Sequence, residues 1–186
     1  MSVKEIIDSA RKLMDKSLEF NKSQIGKVRT GRASASLLDG VTVDYYGSPT
    51  SLNQTANVSV PDARTIVINP YDKGILQNIE KAIQQSDLGF NPQNDGALIR
   101  INVPPLTEER RKEFVKLSKK YAEEGKVAIR NIRRDFMETL KKEEKNKTLS
   151  EDDRKKGEEL LQKVTDEFIS KIDKILADKE KELLEN

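Results

Sequence analysis

PPLTEERRKEFVKLSKKYAEEGKVAIRNIRRDFMETLKKEEK, residues 104–145, is the stretch that decides the fold. Pro104 and Pro105 close whatever precedes them, because proline fixes φ and has no N–H to give to a ladder. Thr107 is then a good N-cap, and Glu108 and Glu109 put negative charge in a first turn, where the helix dipole favours it. At about 100° per residue, Phe114, Ser118, Tyr121, Ala122, Gly125, Ile129, Ile132, Phe136 and Leu140 fall on one face. The spacing predicts a helix over 107–145, roughly 58 Å long at about 1.5 Å per residue.

The chain on either side supplies what this helix needs to cover its apolar stripe. Asn146-Lys147-Thr148-Leu149 reads as a short turn, and Ser150 as the cap of a second helix with Glu151, Asp152 and Asp153 behind it. That helix carries Leu161, Val164, Phe168, Ile172, Ile175 and Leu183 in steps of three, four or eight. A short turn between two long helices implies an antiparallel hairpin, which leaves both stripes partly uncovered. Residues 3–28 supply a third wall: Val3, Ile7, Ala10, Met14, Leu18, Ile25 and Val28 recur at near-helical spacing, with Ile6 and Leu13 beside them. The expectation is an α+β protein built on a long antiparallel three-helix bundle from residues 1–30 and 105–186.

Residues 31–104 differ in kind and read as a small inserted mixed α/β domain, with a strand, helix and strand at its heart. Val41-Thr42-Val43-Asp44-Tyr45-Tyr46 alternates like a strand and ends at a turn, Gly47-Ser48-Pro49. Thr65-Ile66-Val67-Ile68-Asn69 and Ala97-Leu98-Ile99-Arg100-Ile101-Asn102-Val103 are two further strands, and Ile75, Leu76, Ile79 and Ile83 mark a short helix between them. The order in which the strands pair is not readable. The insertion hangs on two strands of chain, Arg29, Thr30, Gly31 and Arg32 on one and Pro104 and Pro105 on the other. Two linkers restrict motion more than one would, so they suggest a hinge.

Composition narrows the function. Charged residues make up 35% of the 186 residues and aromatics 5%, against roughly 25% charged in an ordinary globular chain. Long helices suit such a composition, since each needs only one apolar stripe. There is no cysteine and no histidine, which removes thiolate nucleophiles, Cys/His metal sites and the commonest general base at neutral pH. Thr30-Gly31-Arg32 lacks the glycine spacing and following lysine of a phosphate loop. No catalytic residue, metal site or cofactor is expected, and an enzyme is a poor hypothesis. The apolar runs are too short to span a membrane, and the start Met1-Ser2-Val3-Lys4-Glu5 has no signal core, so a cytoplasmic protein is expected.

Net charge is +2, unevenly placed: residues 105–145 hold 13 basic and 9 acidic groups, whereas residues 146–186 hold 9 and 12. Within the long helix the signs segregate. Lys112, Lys116, Lys119, Lys126, Arg130, Arg133 and Arg134 lie on one flank of the apolar face, with Lys141 beyond them and Glu123 the main acidic exception. Glu113, Glu124, Asp135 and Glu138 lie on the other. A solvated surface laced by i,i+4 pairs is the plain explanation of a charge run. Segregation favours a polyanion instead, because neighbouring cations repel one another. Arginines add planar donors suited to phosphate. Arg133 lies closest to the apolar face and could be a snorkelling edge residue.

Four motifs, in order along the chain, then resemble those of the ribosome recycling factor family. They are Lys27-Val28-Arg29-Thr30-Gly31-Arg32-Ala33-Ser34 with Leu37-Leu38-Asp39-Gly40; Pro104-Pro105-Leu106-Thr107-Glu108-Glu109-Arg110-Arg111-Lys112; Val127-Ala128-Ile129-Arg130-Asn131-Ile132-Arg133-Arg134-Asp135; and Ala177-Asp178-Lys179-Glu180-Lys181-Glu182-Leu183. The resemblance implies an L-shaped, monomeric molecule that binds the large ribosomal subunit and its ribosomal RNA after termination. It also implies work with elongation factor G, which hydrolyses the GTP, and RNA contacts by the arginines matching Arg130 and Arg133. An RNA-binding factor that does not recycle ribosomes and a coiled-coil adaptor for proteins are the alternatives; salt-dependent RNA binding and subunit splitting discriminate among the three.

Overall fold

A computed structural model describes residues 1–185. In chain order the elements are α1 (Val3–Gly26), a 3-10 turn (Ala35–Leu38), β1 (Thr42–Tyr45), β2 (Ser48–Ser51), α2 (Leu52–Thr55), β3 (Ala56–Asp62), β4 (Thr65–Pro70), a second 3-10 turn (Lys73–Ile75), α3 (Leu76–Gln85), β5 (Pro92–Asn94), β6 (Ile99–Asn102), α4 (Glu108–Lys145) and α5 (Glu151–Glu185). They form two compact units, Met1–Thr30 with Glu108–Glu185, and Gly31–Thr107.

In the larger unit α1, α4 and α5 pack against one another. Ser2 starts α1 through a capping box: its hydroxyl accepts from the Glu5 N–H, and the Glu5 carboxylate accepts from the Ser2 N–H. Ser150 starts α5, its Oγ accepting from Asp153 N at 3.0 Å. Met14, Ile6, Ile129, Leu140, Leu161, Phe168 and Ile172 form the fully buried centre. On α1 the buried line runs through Ile6, Ala10, Met14, Leu18, Asn21 and Ile25. Ile7 is only partly covered and Leu13 is exposed. The stripe is therefore centred on Ile6, and it includes a polar residue that apolar spacing passes over.

Asn21 explains Gly125. Its amide is buried, and Nδ2 donates to the Tyr121 carbonyl at 2.7 Å. A Cβ on Gly125 would lie 2.5 Å from Asn21 Cγ. The glycine thus lets α1 approach α4 with an amide in the space a methyl would fill. At the end of α1, Lys179 reaches across from α5 and donates to the Gly26 carbonyl at 3.3 Å. α1 has no basic residue in its own last turn, so Lys179 supplies the cation that a helix C-terminus favours. Burial holds its ammonium below the usual lysine range, against an opposing pull from Glu182.

The smaller unit holds a four-stranded antiparallel sheet in the order β3-β4-β6-β5 and a separate hairpin, β1-β2. Ile66 pairs with Ile101 and Ile68 with Ile99, which puts four fully buried isoleucines on one face. Ile79 and Ile83 of α3 and Val43 of β1 complete that core. The strands absent from the sequence expectation are β2, β3 and β5. β3 and β5 contain Pro61 and Pro92 but lie at the sheet edges, the places where a missing N–H is tolerated. A register shift between Ser59 and Asp62 further disguises β3. The expected turn at Gly47-Ser48-Pro49 is instead Tyr46-Gly47, both with positive φ (49° and 87°), while Ser48 and Pro49 begin β2. Two positive φ values give the turn the twist that antiparallel strands require.

Gly31 and Arg32 belong to the smaller unit, as do Pro104 and Pro105, whereas Arg29 and Thr30 belong to the larger. The return crossing lies at Thr107–Glu108, not at the prolines. Packing gives the reason. Gly31 has φ +81°, and a Cβ there would lie 3.1 Å from Leu106 Cγ and 3.2 Å from Leu106 N. Arg64 donates to the Gly31 carbonyl at 3.2 Å, and Val103 N donates to the Arg64 carbonyl at 2.7 Å. The β3–β4 turn thus gathers both strands where they enter and leave the insertion.

Candidate nucleic-acid interface

Helix α4 presents the basic row. Lys112 and Arg134 are 22 positions apart, roughly 33 Å along the axis. Lys112, Lys116, Lys119 and Arg134 are exposed, while Lys126, Arg130 and Arg133 are partly covered. The acids of the opposite flank, Glu113, Glu124, Asp135 and Glu138, are exposed too. The helix holds this geometry because Ser118, Ala122, Gly125, Ile129 and Leu140 anchor its other side in the bundle.

The neighbours of the cations are not those a single-helix wheel suggests. Lys126 forms an ion pair with Asp173 of α5. Lys119 lies 3.9 Å from Glu180, also on α5. Arg130 pairs with Glu123 at 3.3 Å, two turns back on its own helix. Arg133 Nη1 donates to Gln162 Oε1 of α5 at 2.8 Å, and its Nε is buried with no hydrogen-bond partner among the described residues. Among the described residues Lys112, Lys116 and Arg134 make no ion pair. The acids of α5 therefore offset part of the repulsion along the row. The more exposed pairs, Lys119–Glu180 and Arg130–Glu123, contribute at most about 1 kcal/mol each, so a phosphate could displace them at little cost, whereas Lys126 is the most covered of the three cations. The partial cover of Arg133 agrees with its place at the edge of the apolar face.

Of the remaining expected residues, Arg29, Thr30, Gly31 and Arg32 flank the outgoing crossing between the units, whereas Pro104 and Pro105 lie within the smaller unit, ahead of the return crossing. Sequence reasoning does not single out Gln162 and Asp166; the only signal is a neutral side chain beside Leu161 in an otherwise charged flank. Among the described residues no group of three or more acids, histidines or cysteines could hold a metal ion. Nor is any described helix long and apolar enough to cross a membrane.

Comparison with known proteins adds a relationship to this geometry. The family model described as ribosome recycling factor matches residues 21–184. The ribosome-recycling factor of Oleidesulfovibrio alaskensis is 58% identical over 172 residues, spanning 92% of this chain and 94% of that protein. That of Nitratidesulfovibrio vulgaris is 55% identical over 185 residues, with both chains covered completely. A solution structure of the ribosome recycling factor matches with TM-score 0.77 and 41% identity, covering 100% of this chain and 99% of that one. A second match is the T. thermophilus ribosome recycling factor, placed with E. coli elongation factor G on the E. coli post-termination complex, with TM-score 0.66 and 50% identity. It covers 99% of this chain and 100% of the other. A three-helix bundle with an inserted antiparallel sheet, carried by relatives of this kind, places the chain among the translation factors. Within that class, it belongs to the ribosome recycling factor family.

Proposed function

We propose that this protein binds the large ribosomal subunit after termination and, together with elongation factor G and GTP, splits the post-termination complex so that mRNA and tRNA are released. The observation that carries the proposal is similarity along essentially the whole chain to ribosome-recycling factors. The row Lys112, Lys116, Lys119, Lys126, Arg130, Arg133 and Arg134 is the face that meets ribosomal RNA, and its spread along one helix suits a phosphate backbone. The protein acts as a cytoplasmic monomer. It performs no catalysis of its own; GTP is hydrolysed by the partner factor. Light scattering of post-termination ribosomes tests this reading. Splitting is expected only when this protein, elongation factor G and GTP are all present. A rate no faster with the protein than without it would sink the assignment.

Binding alone does not separate two subunits, so some part of the factor moves. The proposed joint is the pair of chain segments at the unit boundary, Arg29, Thr30, Gly31 and Arg32 on one, and on the other Pro104 and Pro105, which precede the return crossing at Thr107–Glu108 by a few residues. The chain contains no cysteine, so an engineered disulfide fixing the smaller unit to the larger is clean to build. Locking should leave large-subunit binding nearly unchanged and sharply reduce splitting, with recovery on reduction. Equal splitting by the locked and reduced forms, with the crosslink verified by mass, removes domain swing from the mechanism.

A further inference from the structure

A cation is available to a phosphate only to the extent that its neighbours leave it so. Lys119, Lys126 and Arg130 each stand beside a carboxylate, Glu180, Asp173 and Glu123 respectively. Arg133 is held differently. Its Nη1 donates to a neutral amide oxygen, Gln162 Oε1, at 2.8 Å. That amide is itself oriented: Gln162 Nε2 donates to Asp166 Oδ1 at 2.8 Å, one turn further along α5. An ionised carboxylate only accepts hydrogen bonds, so Asp166 draws the NH2 group of Gln162 toward itself and turns the oxygen toward Arg133. Among the described residues no carboxylate lies within ion-pair distance of Arg133.

The choice of an amide is informative because α5 is rich in acids, including Glu158, Glu159, Asp166, Glu167 and Asp173. A carboxylate at position 162 would have the same shape and would take the guanidinium in a charge-assisted, potentially bidentate pair. It would then compete with any phosphate for the same donors. A neutral oxygen holds the group in place by one bond and leaves its charge uncompensated. Among the described residues the buried Arg133 Nε has no hydrogen-bond partner either.

We infer that Gln162 is a positioning residue for Arg133: it fixes the guanidinium at the α4–α5 seam while keeping its full charge for a phosphate, with Asp166 setting the direction of the amide. The inference rests on the reading of Arg133 as a contact to ribosomal RNA.

Binding to isolated large ribosomal subunits, measured over a series of salt concentrations, tests it with Gln162→Glu, Gln162→Met, Arg133→Ala and the double variant Arg133→Ala/Gln162→Glu. Gln162→Glu should lower affinity by roughly tenfold and flatten the plot of log K against log salt by about 0.7–0.9, the contribution of one phosphate contact. Its fold should persist, although the new carboxylate gives up the hydrogen bond to Asp166 and faces that acid, so its melting temperature is compared with that of Gln162→Met, which loses the same hydrogen bond without the added charge. Gln162→Met, similar in length and uncharged, should keep the parent's slope and bind within roughly threefold of it. In the Arg133→Ala background the added carboxylate should change little, because it acts through the arginine. Three results overturn the inference: unchanged binding and slope for Gln162→Glu while Arg133→Ala is impaired, an equal loss from Gln162→Glu whether or not Arg133 is present, or a slope flattened as much by Met as by Glu. If Arg133→Ala itself binds like the parent, the interface assignment fails first, and the role of Gln162 with it.

Discussion

Arg133→Ala is expected to weaken binding to the large ribosomal subunit by roughly tenfold to a hundredfold. A hydrogen bond to a charged group contributes about 1.5–3 kcal/mol, and each 1.4 kcal/mol or so is a factor of ten in affinity. The fold should survive, because the side chain contributes one hydrogen bond to the bundle, the 2.8 Å contact to Gln162. Arg130→Ala should act in the same direction. Its exposed pair with Glu123 at 3.3 Å is weak competition for a phosphate. Glu138→Ala, on the exposed opposite flank, is the control and should bind like the parent. Binding by all forms should fall as salt rises, since phosphate contacts release counterions. Equal binding by Arg133→Ala and Glu138→Ala would show that the wrong face of α4 has been assigned.

A comparably large effect, on stability, is expected at Gly125. Alanine is the better helix former by about 1 kcal/mol, so an exposed glycine here would gain from the change. Gly125 is buried, and the new methyl would lie 2.5–2.7 Å from three atoms of the Asn21 amide. That amide cannot swing away freely, being buried and tied to the Tyr121 carbonyl. Overpacking costs typically 1–3 kcal/mol, and a displaced, unsatisfied amide a further 1–3 kcal/mol or so. Set against the gain in helix propensity, Gly125→Ala should therefore lose about 1–5 kcal/mol in urea denaturation. Adding Asn21→Ala removes the obstructing amide and should restore most of the loss, leaving a coupling energy that neither single change predicts. A Gly125→Ala protein more stable than the parent would mean that α1 does not approach α4 at this point.

The contrast between these two sites explains what the sequence makes legible. The three long helices can be read because each repeats one apolar stripe over many turns. Ser150 before α5 and the acids opening α4 are local signals, complete within a few residues. The isoleucines of β4 and β6 are readable for the same reason, since alternation needs only one strand. β3 and β5 are not. Pro61 and Pro92 speak against strands locally, and only the edge position in the finished sheet makes them acceptable. Asn21 is hidden because it interrupts a stripe by polarity while continuing it by position, and its partner lies a hundred residues away. The basic row of α4 is visible on one wheel. Asp173, Glu180 and Gln162 are not, because they belong to another helix and meet the row only after the bundle has packed.

The order in which the two units are assembled along the chain has a consequence for biosynthesis. Gly31–Thr107 is one continuous segment, so it can fold as soon as it leaves the exit tunnel. The bundle cannot. Its first helix is made before the insertion and its other two after it, and the C-terminal end of α1 is capped by Lys179. At roughly 5–20 residues per second, α1 waits on the order of ten seconds for α5 to appear. Until α4 emerges Ile6, Ala10, Met14, Leu18 and Ile25 have no native surface to cover them, and until α5 follows their cover is incomplete. A nascent chain stalled within α5 should therefore carry a protease-resistant insertion and a protease-sensitive α1. The basic row would become a rigid, ordered face only when synthesis is nearly complete.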